Sequence, residues 1–290
     1  MSTELASRPI EELERTDPQS DVVARWLGLA NPDALVRTFP QVYHPLGCGR
    51  RWAIREGEQL VSHLATHEVD YRVASRSMRA LLVGSVATHP DHRGQGFAGR
   101  LVSYAAEHAR SAGCSAVILW SDSPGFFAKF GFVPMGTQFA VEVPSAGHRL
   151  SAGDTARTAG AGDLPEILAL HSAKPMRVER NLGDLALLLS ARPMHTVVLE
   201  RSGKVVAYAC RSKGEDFPGW WHEVGGSDQD VASLVGAATA ASETPRAKML
   251  FPPYRRCAEM SPNSRQSACL RLALTPTAER ECFVDGLDSI

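Results

Sequence analysis

A glycine-rich corner between an apolar run and a long amphipathic segment constrains this chain more than any other feature. Residues 81–88, LLVGSVAT, read as a strand. A polar turn follows, His89 to Arg93, and then Gly94-Gln95-Gly96. From Phe97 onward Leu101, Tyr104, Ala105 and Ala109 recur at three- and four-residue spacing, which predicts a helix with one buried face. Gly113 stands where a helix end wants a residue tolerant of positive φ. Ala116 to Trp120 is a continuous apolar run, as a strand covered on both faces requires. The order strand, glycine turn, helix, strand is a βαβ unit.

A helix starting near Phe97 leaves its first backbone N–H groups without intrahelical partners. The helix dipole adds partial positive charge there, Arg93 adds a full one, and glycines let a ligand approach the backbone. Together these predict a pyrophosphate seat; a glycine turn beside a solvated arginine is the plainer alternative. Two ligand classes fit such a seat. Gly94-Gln95-Gly96-Phe97-Ala98-Gly99 matches G-x-G-x-x-G, the dinucleotide fingerprint. In that fingerprint the strand runs almost directly into the first glycine, whereas His89 to Arg93 intervene here. Asp122 also lies farther on than the ~20 residues at which a ribose-binding acid is expected.

The same corner fits Arg-x-x-Gly-x-Ala through Arg93, Gly96 and Ala98, behind the lead-in Thr88-His89-Pro90-Asp91-His92-Arg93-Gly94. A second block, Phe126-Phe127-Ala128-Lys129-Phe130-Gly131-Phe132, follows the next strand. In these two blocks, in this order, the chain resembles the GNAT superfamily of N-acetyltransferases. The resemblance implies acetyl-CoA as co-substrate. The main chain of Val86, Ala87 and Thr88 would hold the pantetheine arm. Arg93 and the amides of Gly94, Gln95, Gly96, Phe97, Ala98 and Gly99 would hold the pyrophosphate. It also implies a bulge and splay at the central strand, for which Gly84-Ser85 inside that strand is suited.

The chain has 290 residues, 44% of them hydrophobic and 22% charged, values of a soluble globular protein with one large domain or two ordinary ones. A net charge of −1 gives no general drive toward nucleic acid or an anionic membrane. The acidic N-terminus lacks an apolar secretory segment, and no run approaches the ~18 apolar residues of a spanning helix. The expected location is cytoplasmic, with a homo-oligomer left open. Cys48, Cys114, Cys210, Cys257, Cys269 and Cys282 are scattered and read as reduced thiols; no metal-ligating spacing is seen.

Along the chain, 21–30 reads as a short helix and 31–50, with three prolines and two glycines, as irregular. Residues 51–55 and 60–70 read as a hairpin; 71–78 show no period. The small residues of 153–162 predict a flexible boundary near residue 150, giving an acetyl-CoA-binding domain at 1–150 and a second domain at 151–290. The second half echoes the first: a helix over 167–171, a hairpin over 197–210, a strand at 220–224, a helix at 231–241 and strands at 249–251 and 270–274. After Val224, however, comes Gly225-Gly226-Ser227-Asp228-Gln229-Asp230. Its aspartates would repel phosphate, so this reads as a degenerate GNAT-like repeat that walls off the acceptor pocket. The expected fold is α/β (α+β): two GNAT-like lobes, each a mixed, mostly antiparallel sheet flanked by helices. The N-terminal half further resembles the Eis-type acetyltransferases in LVSHLATHEVDYRVASRSMRALLVGSVATHPDHRGQG.

Acetyl transfer to an amine needs a base or water relay for the amine proton and favours an acid for the departing thiolate. In GNAT enzymes that acid is often the tyrosine of the second block, but Phe127 stands there, and a phenyl ring donates no proton. Ser121 and Ser123 are substitute candidates, although serines there commonly cap the next helix. The carboxylate of Ile290 is a third, since chain ends approach the site in some two-lobed relatives. Tyr43, His44, His63, His67, Asp122, His222 and Glu223 have a plainer reading as solvated or satisfied residues. The expected activity is transfer of an acetyl group to the amine of a small molecule or peptide. A non-catalytic acyl-CoA-binding or sensing protein is the alternative that Phe127 suggests.

Overall fold

The hairpin and the βαβ unit form the centre of the first of two sheets. The structure, a computed structural model, describes residues 8–15, 17–144, 150–242, 246–255, 262–266, 269–275 and 288–290. Its first half contains β1 (Glu11–Glu12), α1 (Ser20–Trp26), α2 (Ala34–Thr38), α3 (Pro40–Tyr43), β2 (Arg50–Glu56), β3 (Gln59–Val73), β4 (Arg76–Thr88), α4 (Phe97–Ser111), β5 (Ala116–Leu119), α5 (Pro124–Ala128), β6 (Val133–Met135) and β7 (Gln138–Pro144). The second contains β8 (Asp154–Thr158), α6 (Leu164–Ser172), β9 (Met176–Val178), α7 (Leu182–Leu188), β10 (His195–Arg201), β11 (Lys204–Arg211), β12 (Trp220–Gly226), α8 (Asp228–Ala241), β13 (Arg246–Phe251), β14 (Pro262–Gln266) and β15 (Cys269–Ala273).

The first sheet runs β1-β2-β3-β4-β5-β15-β6, with β9 on the far end of β3; the second runs β14-β7-β13-β12-β11-β10-β8. Among the described strands only β4–β5 and β12–β13 pair in parallel. This mixed, mostly antiparallel layout excludes the doubly wound sheet of a dinucleotide-binding fold. On one face of the first sheet α4 buries Leu101, Ala105 and Ala109 of the expected stripe, and Val102 beside them, against Leu64, Leu81, Val83 and Val117, with Tyr104 partly buried. Each such fully buried leucine contributes roughly 2 kcal/mol. On the other face α2 and α3 bring Leu35, Val42 and Tyr43 onto Ala53, Ala65, Leu82 and Ile118, and Ile290 joins them.

Several expectations are corrected. Residues 31–50 are not wholly irregular: they hold α2 and α3, and Pro40 occupies the first turn of α3, where its missing N–H is no loss. The segment 71–78 is the end of the β3–β4 hairpin, turning at Ala74 with φ +51°. The stretch 153–162 contains edge strand β8, paired with β10. Cross-strand charges hold it: Arg157 bonds Asp163 and Glu200, and Arg201 bonds Asp154. The strand at 270–274 belongs to the first sheet, not to the second-half repeat. It pairs Leu270 with Leu119, closing the open edge of a strand whose four residues are all buried. In exchange β7 lies in the second sheet, between β13 and β14. The strand exchange therefore crosses the division near residue 150. Cys257 and Cys282 lie outside the described residues.

Candidate active site

β4 and β5 are paired only from Ala80–Ala116 to Val83–Leu119. β4 continues to Thr88 with a partner on its other side alone, β3. The cause is local. Between the pairs His63–Ala87 and Ala65–Gly84 the register shifts, so β4 carries one extra residue. Ser85 there has φ +49°, a left-handed conformation that costs a non-glycine residue energy and clusters at functional sites. The bulge turns β4 away from β5. The main chain from Val86 to Thr88 thus faces a gap in place of a neighbouring strand.

That gap opens into a cleft of about 790 Å³ between the end of β4, the start of α4, and α5. Of the residues read from the sequence, Val86, Ala87, Thr88, Arg93, Gly94, Gly96, Phe97, Ala98, Gly99, Ser121, Ser123, Phe127 and Ile290 line it. Gln95 does not; its amide donates to the Asp91 carbonyl at 3.2 Å. Trp26, Leu27, Trp120 and Lys129 line it as well. Lys129 belongs to the second sequence block, whereas no motif marks Trp26, Leu27 or Trp120.

At the corner, Gly96 is the N-cap of α4 with φ +86° and no side-chain cap. The first N–H groups of α4 are therefore left for a ligand. A Cβ on Gly94 or Gly96 would meet nothing within 4 Å, so the glycines leave open space in front of the helix. Arg93 is exposed, with Nε donating to the Thr88 carbonyl at 3.3 Å. Gly99 has a packing duty too, for a Cβ there would stand 2.8 Å from the Phe130 ring. That contact docks the second sequence block on α4.

The catalytic candidates are placed unevenly. Ser121 Oγ accepts from the Ser123 N–H at 2.9 Å, a local turn bond. Phe127 is buried against Phe126 and Phe132 at the cleft wall. Ile290 reaches the bulge itself: a Cβ on Gly84 would stand 1.7 Å from the Ile290 main-chain oxygen. Only glycine at position 84 admits the chain there. Asp122 is exposed and outside the cleft lining.

His63 and Tyr43 lie behind the bulge, their rings stacked at 6.2 Å. The His63 Nδ1–H donates to the Ser85 carbonyl at 2.9 Å, and burial pushes the imidazole down to about 4. Burial likewise raises the Tyr43 phenol above its ordinary value. His67 contacts Cys48 at 3.7 Å, and His44 accepts from the Leu46 N–H at 3.1 Å. In the second lobe His222 donates to the Ser212 carbonyl at 3.0 Å and is also pushed down to about 4 by burial. Glu223 is fully buried; burial pushes its carboxyl up, but Arg180 and Lys174 outweigh this and hold it ionised. Neither His222 nor Glu223 lines the cleft.

Residues 28–135 match the family model described as an acetyltransferase (GNAT) domain. No curated protein matches the chain. Among solved structures, a GCN5-related N-acetyltransferase from Kribbella flavida superposes with a TM-score of 0.69 at 16% identity, over 91% of this chain and 71% of that one. Eis1 from Mycobacterium abscessus gives 0.64 at 14% identity, over 91% and 73%. A tandem GNAT protein from the clavulanic acid biosynthesis pathway gives 0.59 at 12% identity, over 93% and 99%. The matched segment carries the splayed strand, the glycine corner and the cleft lining other than Trp26, Leu27 and Ile290, and the likeness extends over both lobes. Residues 28–135 thus match an acetyltransferase (GNAT) domain, and the chain shares the fold of these structures over both of its lobes.

Proposed function

We propose that this protein transfers an acetyl group from acetyl-CoA to the amine of a small molecule or peptide. The observation that carries this reading is the continuity of one cleft, from the unpaired edge of β4 to the uncapped start of α4. The residues present fit the donor. Open glycines and an exposed arginine at a helix N-terminus suit a pyrophosphate, and the Val86–Thr88 main chain suits an extended amide-bearing arm. The donor supplies an activated thioester. Arg93 and the amides of Gly94 and of residues 96–99 bind it, and Val86–Thr88 orient it.

Of the catalytic candidates, Ile290 is the one the fold brings to the bulge, and a carboxylate there would take the amine proton. Phe127 supplies no acid. A thiol with a pKa of ~8.5 leaves as thiolate at a reduced rate. Residues 1–150 act as the donor-binding lobe and residues 151–290 as a lobe without its own donor site. The protein works in the cytoplasm, without nucleic acid or membrane partners.

A thiol-release screen over amines, aminoglycosides, polyamines and amino acids, with product mass recorded, tests the activity. Acetyl-CoA, and not NAD, is expected to raise the melting temperature. The phenyl ring of Phe127 at the cleft wall favours one other reading, an acyl-CoA sensor. Tight CoA binding with no acetylated product from any acceptor would support the sensor and overturn the enzyme.

A further inference from the structure

The second lobe's corner is capped by its own side chains, and its buried charges converge on one place. Residues 288–290 run between the lobes and are almost completely buried: Asp288 is 4% exposed, Ser289 4% and Ile290 8%. Arg180, between β9 and α7, donates from Nε and Nη2 to the Asp288 carboxylate at 3.0 and 2.6 Å. Lys213, just after β11, donates to the Ser289 carbonyl at 2.6 Å and to its hydroxyl at 2.8 Å. The Ser289 hydroxyl donates to Asp216 at 2.6 Å. From the first lobe, Gln41 on α3 donates to the same Ser289 carbonyl at 2.7 Å.

The anchors are themselves fixed. Arg180 also forks onto Glu223 at 2.7 and 2.9 Å. Glu223 accepts from the Tyr208 hydroxyl at 2.7 Å and lies 3.5 Å from the Lys174 amine. Tyr208 reaches it by lying across its register partner Gly225, where a Cβ would stand 2.2 Å from the ring. One glycine of the degenerate corner therefore serves this network. The loop after Lys213 docks on α2: a Cβ on Gly214 would stand 2.1 Å from Thr38 Oγ1.

We propose that the second lobe is a socket for residues 288–290 and that Arg180 and Lys213 are positioning residues, setting where Ile290 stands at the Gly84 bulge. The proposal rests on the acetyl-transfer reading with Ile290 at the reacting centre. Two forked carboxylate contacts fix Arg180 in distance and angle, which a lysine, as a point charge, cannot reproduce. A buried ionic cluster is weak evidence for stability, and its best-attested use is fixing a register. Here the register is that of a tail against a bulge. Arg180 and Lys213 touch neither the cleft nor the corner, so their loss moves the tail and leaves the donor seat intact.

The test compares the full chain, Arg180→Lys, Asp288→Asn, and a chain ending at residue 287. Release of Ile290 by carboxypeptidase from the native protein is expected to rise about tenfold or more in both point variants, because the fork that fixes the tail is lost. The kcat on the amine turned over fastest in the screen is expected to fall roughly 10²-fold, the low end for a general base. CoA affinity by calorimetry stays within about twofold. In the shortened chain kcat is already low, and adding Arg180→Lys lowers it no further. If Arg180→Lys fails to fold, Asp288→Asn carries the comparison, since it leaves the Arg180–Glu223 fork in place. Unchanged Ile290 release, or losses that multiply in the shortened chain, overturn the socket. A shortened chain with full kcat overturns the role of Ile290 instead.

Discussion

The two lobes carry the same element order, strand, glycine corner, helix, but only one leaves its helix start without a side-chain cap. In the first lobe Gly96 starts α4 with no side-chain cap and open space before it. In the second, Ser227 caps α8, accepting from the Asp230 N–H at 3.1 Å and donating to its carboxylate at 2.7 Å. Arg201 bonds Asp230 at 2.7 Å, and Arg255 bonds Asp228 at 3.0 Å and the Gly226 carbonyl at 3.1 Å. A helix start satisfied by its own side chains is structure; one left unsatisfied in front of an open gap is a seat. The second lobe spends its polar groups on the tail instead.

The largest expected effect breaks the comparison at its centre. Gly96→Glu places a carboxylate where phosphate would lie, on a residue held at φ +86°. It should weaken CoA binding by roughly 10³-fold or more, since like charges cost several kcal/mol. Asp230→Asn, in the first turn of the second-lobe helix, should leave affinity unchanged, and calorimetric titration should saturate at one equivalent of CoA per chain. Two equivalents would mean that the second corner is open after all.

Next in size is Gly84→Ala. The added methyl meets the Ile290 oxygen and pushes the tail off the bulge. The kcat should fall roughly 10²-fold while CoA affinity changes far less. Equal losses in both would place the methyl's effect on the donor seat.

A third prediction sharpens the symmetry between lobes. His63 and His222 each donate to the carbonyl of a serine with positive φ, Ser85 and Ser212. Burial pushes both imidazoles down to about 4. The unfolded chain, with histidines near 6.5, binds more protons between pH 6.5 and 4. Stability is therefore complete above pH 6.5 and is lost as the pH falls toward 4, by about 2 kcal/mol per histidine at pH 5. Urea unfolding of His63→Gln and His222→Gln at pH 7 and pH 5 should show each variant losing half of the shared pH dependence. If one variant keeps it all, the two sites are not equivalent.

The smallest effect is expected at Phe127→Tyr. The ring is already at the cleft wall, and a hydroxyl there could protonate the thiolate. Because that thiolate leaves unaided, the gain in kcat should stay within about tenfold, below the usual reach of a general acid. A raised KM with unchanged kcat would show that the ring packs against the acceptor.

Local order fixes the core of the first lobe. The α4 spacing, the positive-φ sites at Gly94, Gly96 and Gly113 and the bulge at Gly84-Ser85 follow from residue chemistry within a few positions of each other, so the sequence determines them. The hairpins and the closed second corner were legible for the same reason. Tertiary structure decided what depends on distant chain. The strand at 269–273 could have joined either sheet; the exposed edge of β5 chose. The capacity of 154–158 to form a strand lay in cross-strand charge pairs with residues more than forty positions away. Arg180, Lys213 and Gln41 carry no motif. They meet only because the second lobe folds back on the first, where a buried donor must find an acceptor and residues 288–290 supply it.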